Sequence, residues 1–100
     1  METPRPPLAP LLSAIGDSLR WGILSELSAG EPLMVKELAQ RLQRTPTVIS
    51  KHLAILRASG AVVIGRGRLY QIPAQFLPAP GERVVDFGHC LLRLAPPPAA

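Results

Sequence analysis

Acidic residues are missing from the middle of this chain. Between Arg41 and Pro73 there is no Asp or Glu, although six cationic side chains fall there: Arg41, Arg44, Lys51, Arg57, Arg66 and Arg68. Cysteine is nearly absent as well, and the single Cys90 excludes an intramolecular disulfide and any zinc site built from several thiolates. No apolar run approaches the ~18 residues of a membrane span. Pro4, Pro6, Pro7 and Pro10 interrupt every apolar stretch near the start, so no secretory signal is read and a reducing cytoplasm is the expected compartment. The chain has no internal repeat, no nucleophile elbow, no glycine-rich phosphate loop and no spaced pair of inward carboxylates, which argues against an enzyme and against a cofactor.

What is present fits one small domain. A chain of 100 residues buries roughly 60–65% of its unfolded surface, enough for a modest core but not for a deep catalytic cleft, and a partner chain would help it. The first forty residues hold five acids and three bases, so the net charge of +4 is concentrated in the acid-free stretch. A one-signed segment inside an otherwise balanced protein is the footprint of a surface that meets polyphosphate.

Breakers divide the chain. Residues 1–10 and 96–100 are proline-rich and are expected to be extended or disordered, since proline removes a donor and fixes φ. From Leu11, apolar residues at Leu12, Ile15, Leu19, Ile23, Leu24 and Leu27 recur at helical steps, giving two helices broken near Gly16-Asp17 with Asp17 as N-cap. Trp21 is expected in the core. Gly30 and Pro32 end this unit, and VKELAQRL (35–42) forms a short third helix. Thr45-Pro46 is a strong start signal, because a Thr oxygen accepts from the open amides of a first turn and Pro fits its first position without losing a bond. A helix follows from Pro46 to about Ser59, closed by Gly60, with Ile49, Leu53 and Leu56 inward. Thr47, Val48, Ser50, Lys51 and Arg57 then face outward. AVVI and RLYQI around Gly65-Arg66-Gly67 make a hairpin with Arg66 and Arg68 at its tip. After a Pro/Gly linker, a last helix is expected from Val84 to about Leu94.

Helix, helix, helix-turn-helix, hairpin, helix is the winged helix-turn-helix order, mainly α with a small β-hairpin. GDSLRWGIL resembles the segment written DPTRLRIL in the ArsR/SmtB-type family of small dimeric repressors. TPTVISKHLAILRASGAV is similar to that family's recognition segment SQSTVSHHLKVLREAGLV, and RGRLYQI resembles its wing. The resemblance covers Leu11 to Ile72 well and the last segment loosely. It implies a homodimer on double-stranded DNA, acting as a repressor at a pseudo-palindromic operator. Recognition helix 46–59 and wing 61–72 supply the contacts, from Arg44, Thr45, Thr47, Val48, Ser50, Lys51, Arg57, Arg66 and Arg68. The winged-helix domain spans 11–95, with dimerisation through its first and last helices. Leu11, Leu12 and Ile15 are expected to meet Val84, Val85, Phe87, Cys90, Leu91, Leu92 and Leu94 of the partner.

Two other readings stand beside this one, a winged-helix module that binds protein and a metal-responsive sensor. His52 reads first as a half-buried structural histidine. Asp86 and His89 would share a helix face and begin a metal site, but a zinc needs about four ligands and only Cys90 follows. Where the resembled family carries a cysteine pair for metalloids, this chain has Met34, Val35 and Lys36. DNA affinity is therefore expected to be equal with zinc, with arsenite and with chelator. A gel-shift titration checks this, and release of DNA by micromolar zinc that His89→Ala abolishes would overturn it.

Overall fold

The computed structural model describes residues 5–77 and 84–94. Four helices come first: α1 (Leu8–Ile15), α2 (Ser18–Leu27), α3 (Val35–Leu42) and α4 (Pro46–Ser59). Two antiparallel hairpins follow, β1 (Val63–Ile64) with β2 (Tyr70–Gln71), and β3 (Val84–Asp86) with β4 (Leu91–Arg93). Short 3₁₀ turns lie at Arg66–Arg68 and Ala74–Phe76.

The helix boundaries follow the sequence signals. Asp17 is extended (φ −134°) and its carboxylate accepts from the Arg20 backbone N–H at 3.0 Å, which starts α2. Thr45 Oγ1 accepts from Val48 N at 3.3 Å, Pro46 occupies the first turn of α4, and Gly60 at φ +88° ends it. The expectation of an extended N-terminal arm up to Pro10 is corrected: α1 begins at Leu8, with Pro7 extended as its cap. Pro10 lies in the first turn, where backbone amides have no intrahelical acceptor, so the proline costs no bond.

The core is built around α4, whose Ile49, Leu53 and Leu56 are fully buried and which packs on α1, α2 and α3. Leu11, Ala14 and Ile15 of α1 and Ile23, Leu24 and Leu27 of α2 close over it. Trp21 is not in this core and is 37% exposed. The buried stripe of α2 runs through Leu24 and Leu27, and the position one turn earlier on that stripe is Arg20, so Trp21 turns toward solvent. The wing is tied to the helices by Leu33, which pairs with Tyr70 in both directions, Leu33 N to Tyr70 O at 2.9 Å and Tyr70 N to Leu33 O at 2.7 Å.

The expected last helix is replaced by the β3–β4 hairpin, with Val85 opposite Leu92 and Asp86 opposite Leu91. Burial alternates with period two: Val85, Phe87, Leu92 and Leu94 are buried, while Asp86, Leu91 and Arg93 are exposed. Apolar residues on every side of a projected helix are two strands of alternating burial joined at a breaker. That breaker is Gly88 at φ +95°, whose N–H donates to Asp86 Oδ1 at 2.8 Å while Phe87 N donates to Cys90 O at 2.9 Å. Phe87 sits against Phe76 with ring centroids 5.2 Å apart, which fixes the hairpin to the domain's own core. The side chains expected to meet a partner there are therefore largely spent within the chain, and Leu11 and Ile15 likewise face inward. The proline-rich tail expected at 96–100 and residues 78–81 of the linker lie outside the described residues.

Removing the α4 cap by Thr45→Ala is expected to lower stability by about 1 kcal/mol. Urea denaturation followed by circular dichroism reads this as a lower midpoint at unchanged slope.

Candidate nucleic-acid interface

α4 is held by its N-terminal cap and by three buried apolar side chains, and what its N-terminal half turns outward is mostly polar. Thr47, Ser50 and Lys51 are exposed, Val48 lies beside them, and Arg57 is exposed further along the helix. Arg44 and Thr45 precede the helix and are exposed too; the Thr45 hydroxyl is committed to the cap. The α3–α4 connection is short because Gln43 takes the left-handed conformation (φ +55°) and Arg44 N returns to Ala39 O at 3.0 Å. That turn sets α4 at a fixed angle to α3.

Arg66 and Arg68 lie exposed in the tight turn at the wing tip, which is closed by Gly65 N to Leu69 O at 2.8 Å. Gly67 (φ +71°) supplies one left-handed residue, and Arg68 (φ +59°) itself adopts that conformation. Of the six cations in the acid-free stretch, Arg41 is neutralised by Glu31 at 3.1 Å. Among the described residues no ion pair ties Arg44, Lys51, Arg57, Arg66 or Arg68 to an acid. The positive charge of α4 and the wing tip is thus available to a polyanion.

Sequence reasoning missed a cluster behind α4. The Arg20 side chain donates through Nε to the Ala14 carbonyl at the end of α1 and through Nη1 to His52 Nδ1 at 3.0 Å, and Asp17 Oδ2 lies 3.8 Å from the same ring nitrogen. One guanidinium thus joins α1, α2 and α4. The available signal was the stripe of α2, on which a charged residue occupies a core position and so requires partners.

Asp86, His89 and Cys90 lie on the β3–β4 hairpin, Asp86 and His89 exposed and Cys90 half-buried, so the helical spacing that suggested a shared face does not apply. Among the described residues no group of three or more His, Cys, Asp or Glu is placed to hold a metal ion. Among the same residues no helix is long and apolar enough to cross a membrane.

A family described as a helix-turn-helix domain matches residues 15–64, which span α2 to β1. Among solved structures the chain is similar to HlyU from Vibrio cholerae N16961, at 33% identity and a TM-score of 0.58, over 63% of this chain and 71% of that one. No curated protein gives a match.

The Asp17 carboxyl is held below the ordinary carboxylate range, chiefly by the Arg20 backbone N–H and further by the Arg20 guanidinium. A lowered folded-state value contributes stability above the unfolded value, about pH 4, and that contribution is lost as pH falls through the folded value. Asp17→Asn keeps a capping oxygen but removes the titration. Its thermal midpoint is expected to fall less than the parent's between pH 5 and pH 3, in melts recorded at matched ionic strength.

Proposed function

Since the chain belongs to the helix-turn-helix domain family and is a DNA-binding transcriptional regulator, not an enzyme, we propose that it acts as a dimeric repressor of the ArsR/SmtB type. In this reading α4 enters the major groove of a pseudo-palindromic operator and the β1–β2 wing lies along the adjacent backbone. The observation that carries it is the outward face of α4. A rigidly seated helix presents Thr47, Ser50 and Lys51 without a competing acid, beside a wing whose Arg66 and Arg68 are unpaired among the described residues.

The roles divide by chemistry. Thr47, Val48, Ser50 and Lys51 read base edges, where each good contact is worth roughly 1–3 kcal/mol of discrimination. Arg44, Arg57, Arg66 and Arg68 neutralise phosphates, which supplies affinity without sequence information. The hydroxyl of Thr45 stays with the helix start, so its part is to orient Thr47 and Val48.

The dimer reading rests on apolar surface the chain leaves open. Leu8 and Leu12 on α1 are 43% and 49% exposed, and Leu91 on β4 is 58% exposed. A second copy that covers them removes apolar area from water. Two-fold symmetry then places the two recognition helices at half-sites about 34 Å apart. Leu12 survives from the dimer face read in the sequence, and the hairpin edge takes the place of the last helix.

Arg66→Ala is expected to weaken binding to all duplexes nearly alike and to lower the salt slope by about one unit per subunit. Lys51→Ala and Thr47→Ala should instead change which sequence is preferred. Fluorescence anisotropy at several salt concentrations separates these, and a wing variant that binds as the parent does would remove the wing from the interface. Sedimentation at micromolar concentration should give a dimer that Leu12→Glu dissociates, whereas a monomeric parent would contradict the dimer.

A further inference from the structure

The half-buried His52 on the recognition helix stands apart from the outward polar face, and its surroundings fix its chemistry. Its Nδ1 receives the Arg20 Nη1–H at 3.0 Å. A guanidinium is a donor only, so this ring nitrogen accepts and carries no proton, and the neutral ring must hold its hydrogen on Nε2. Arg20 is itself held at its other end by the Ala14 carbonyl, and Asp17, 3.8 Å from Nδ1, balances the charge of the guanidinium at this joint. α1 brings no titratable group to it, since its sequence is LAPLLSAI. The ring therefore cannot flip without leaving Arg20 without its second acceptor.

The consequence lies at the other edge of the ring. Nε2 bonds to none of the described residues, and no buried side-chain nitrogen or oxygen among them is left without a partner, so this N–H opens to solvent. The His52 side chain is 20% exposed. It shares an edge of α4 with Val48 one turn earlier, and Val48 is 37% exposed on the first turn of the recognition helix. In the DNA-binding reading, a fixed, uncharged N–H donor at the flank of α4 would face a backbone whose oxygens are acceptors only.

We propose that Arg20 and Asp17 are positioning residues that lock His52 as its Nε2–H tautomer, and that this N–H donates to a DNA phosphate beside the recognition helix. The inference rests on the DNA-binding reading for its second half and on the Arg20–His52 geometry alone for its first. A neutral hydrogen bond to phosphate releases no counterion. His52 thus contributes affinity and register without adding to the salt slope, which distinguishes it from Arg66 and Arg68.

Two measurements test this. Imidazole ¹⁵N shifts of the DNA-free protein at pH 8 should show the hydrogen of His52 on Nε2, and Arg20→Met should give a mixture of tautomers. Binding to the duplex best enriched from random DNA should then separate two isosteres. His52→Gln places an amide N–H where Nε2–H was and should bind within about twofold of the parent. His52→Asn, which lacks a donor there, should bind about 10–100-fold more weakly, the worth of one hydrogen bond in each half-site, with the salt slope of the parent. Melting curves confirm that each variant is folded. A ring protonated on Nδ1 overturns the tautomer lock. Equal loss in both isosteres, parent-like binding by both, or a lowered salt slope in His52→Asn overturns the phosphate contact. Failure of the parent to bind any duplex overturns the DNA reading and the contact with it, while the tautomer result stands separately.

Discussion

The burial of one stripe of α4 is the constraint on which the rest depends. Ile49, Leu53 and Leu56 are wholly removed from water against three other helices. At about 1.5–3 kcal/mol per large aliphatic side chain, the three together contribute on the order of 5–9 kcal/mol. That is comparable to the entire net stability of a domain this size. The helix cannot slide or rotate by a residue without giving up an amount the molecule cannot spare. The outward residues Thr47, Ser50 and Lys51 inherit their direction from this packing, because a helix that buries one face has no freedom in what it turns to the other side.

Polar devices refine what burial sets. Thr45 fixes where α4 starts, and Arg20, on the buried stripe of α2, reaches across to His52 in its second turn. A charge on a core stripe is tolerated because it is spread over the Ala14 carbonyl, the His52 ring and the nearby Asp17 carboxylate, each on a different segment. The same logic separates structural from available cations on the basic side. Arg41 is taken by Glu31, whereas the wing tip holds two arginines in a turn tight enough to require positive φ at Gly67 and Arg68. Conformational strain at Arg68 is a local cost for projecting both guanidinium groups from one short turn.

The sequence was most legible where local chemistry and periodicity agreed. Asp17, Thr45-Pro46 and Gly60 each carry a cap whose mechanism is independent of the rest of the fold, and the elements they bound lie where those signals place them. The outward set on α4 followed from the inward one. Legibility failed where a pattern admits two periods. Val84 to Leu94 is apolar enough to satisfy a helix on several faces, and only Gly88 and the alternation through Val85, Phe87, Leu92 and Leu94 distinguish the hairpin. Trp21 misled for a related reason, since hydrophobicity argued for burial while the stripe geometry gave that position to Arg20. The Arg20–His52 joint links residues 32 apart in sequence, and no local rule brings them together.

The central claim is that the outward N-terminal half of α4 reads DNA sequence from a two-fold pair of domains. Selection of duplexes from a random pool by the purified protein, followed by sequencing, tests it most directly. The expected result is an inverted repeat whose half-site centres lie about 10 base pairs apart, with the preferred bases changing in a parallel selection by Lys51→Ala. Enrichment of no motif, or the same motif with the same preferences for Lys51→Ala, would contradict it.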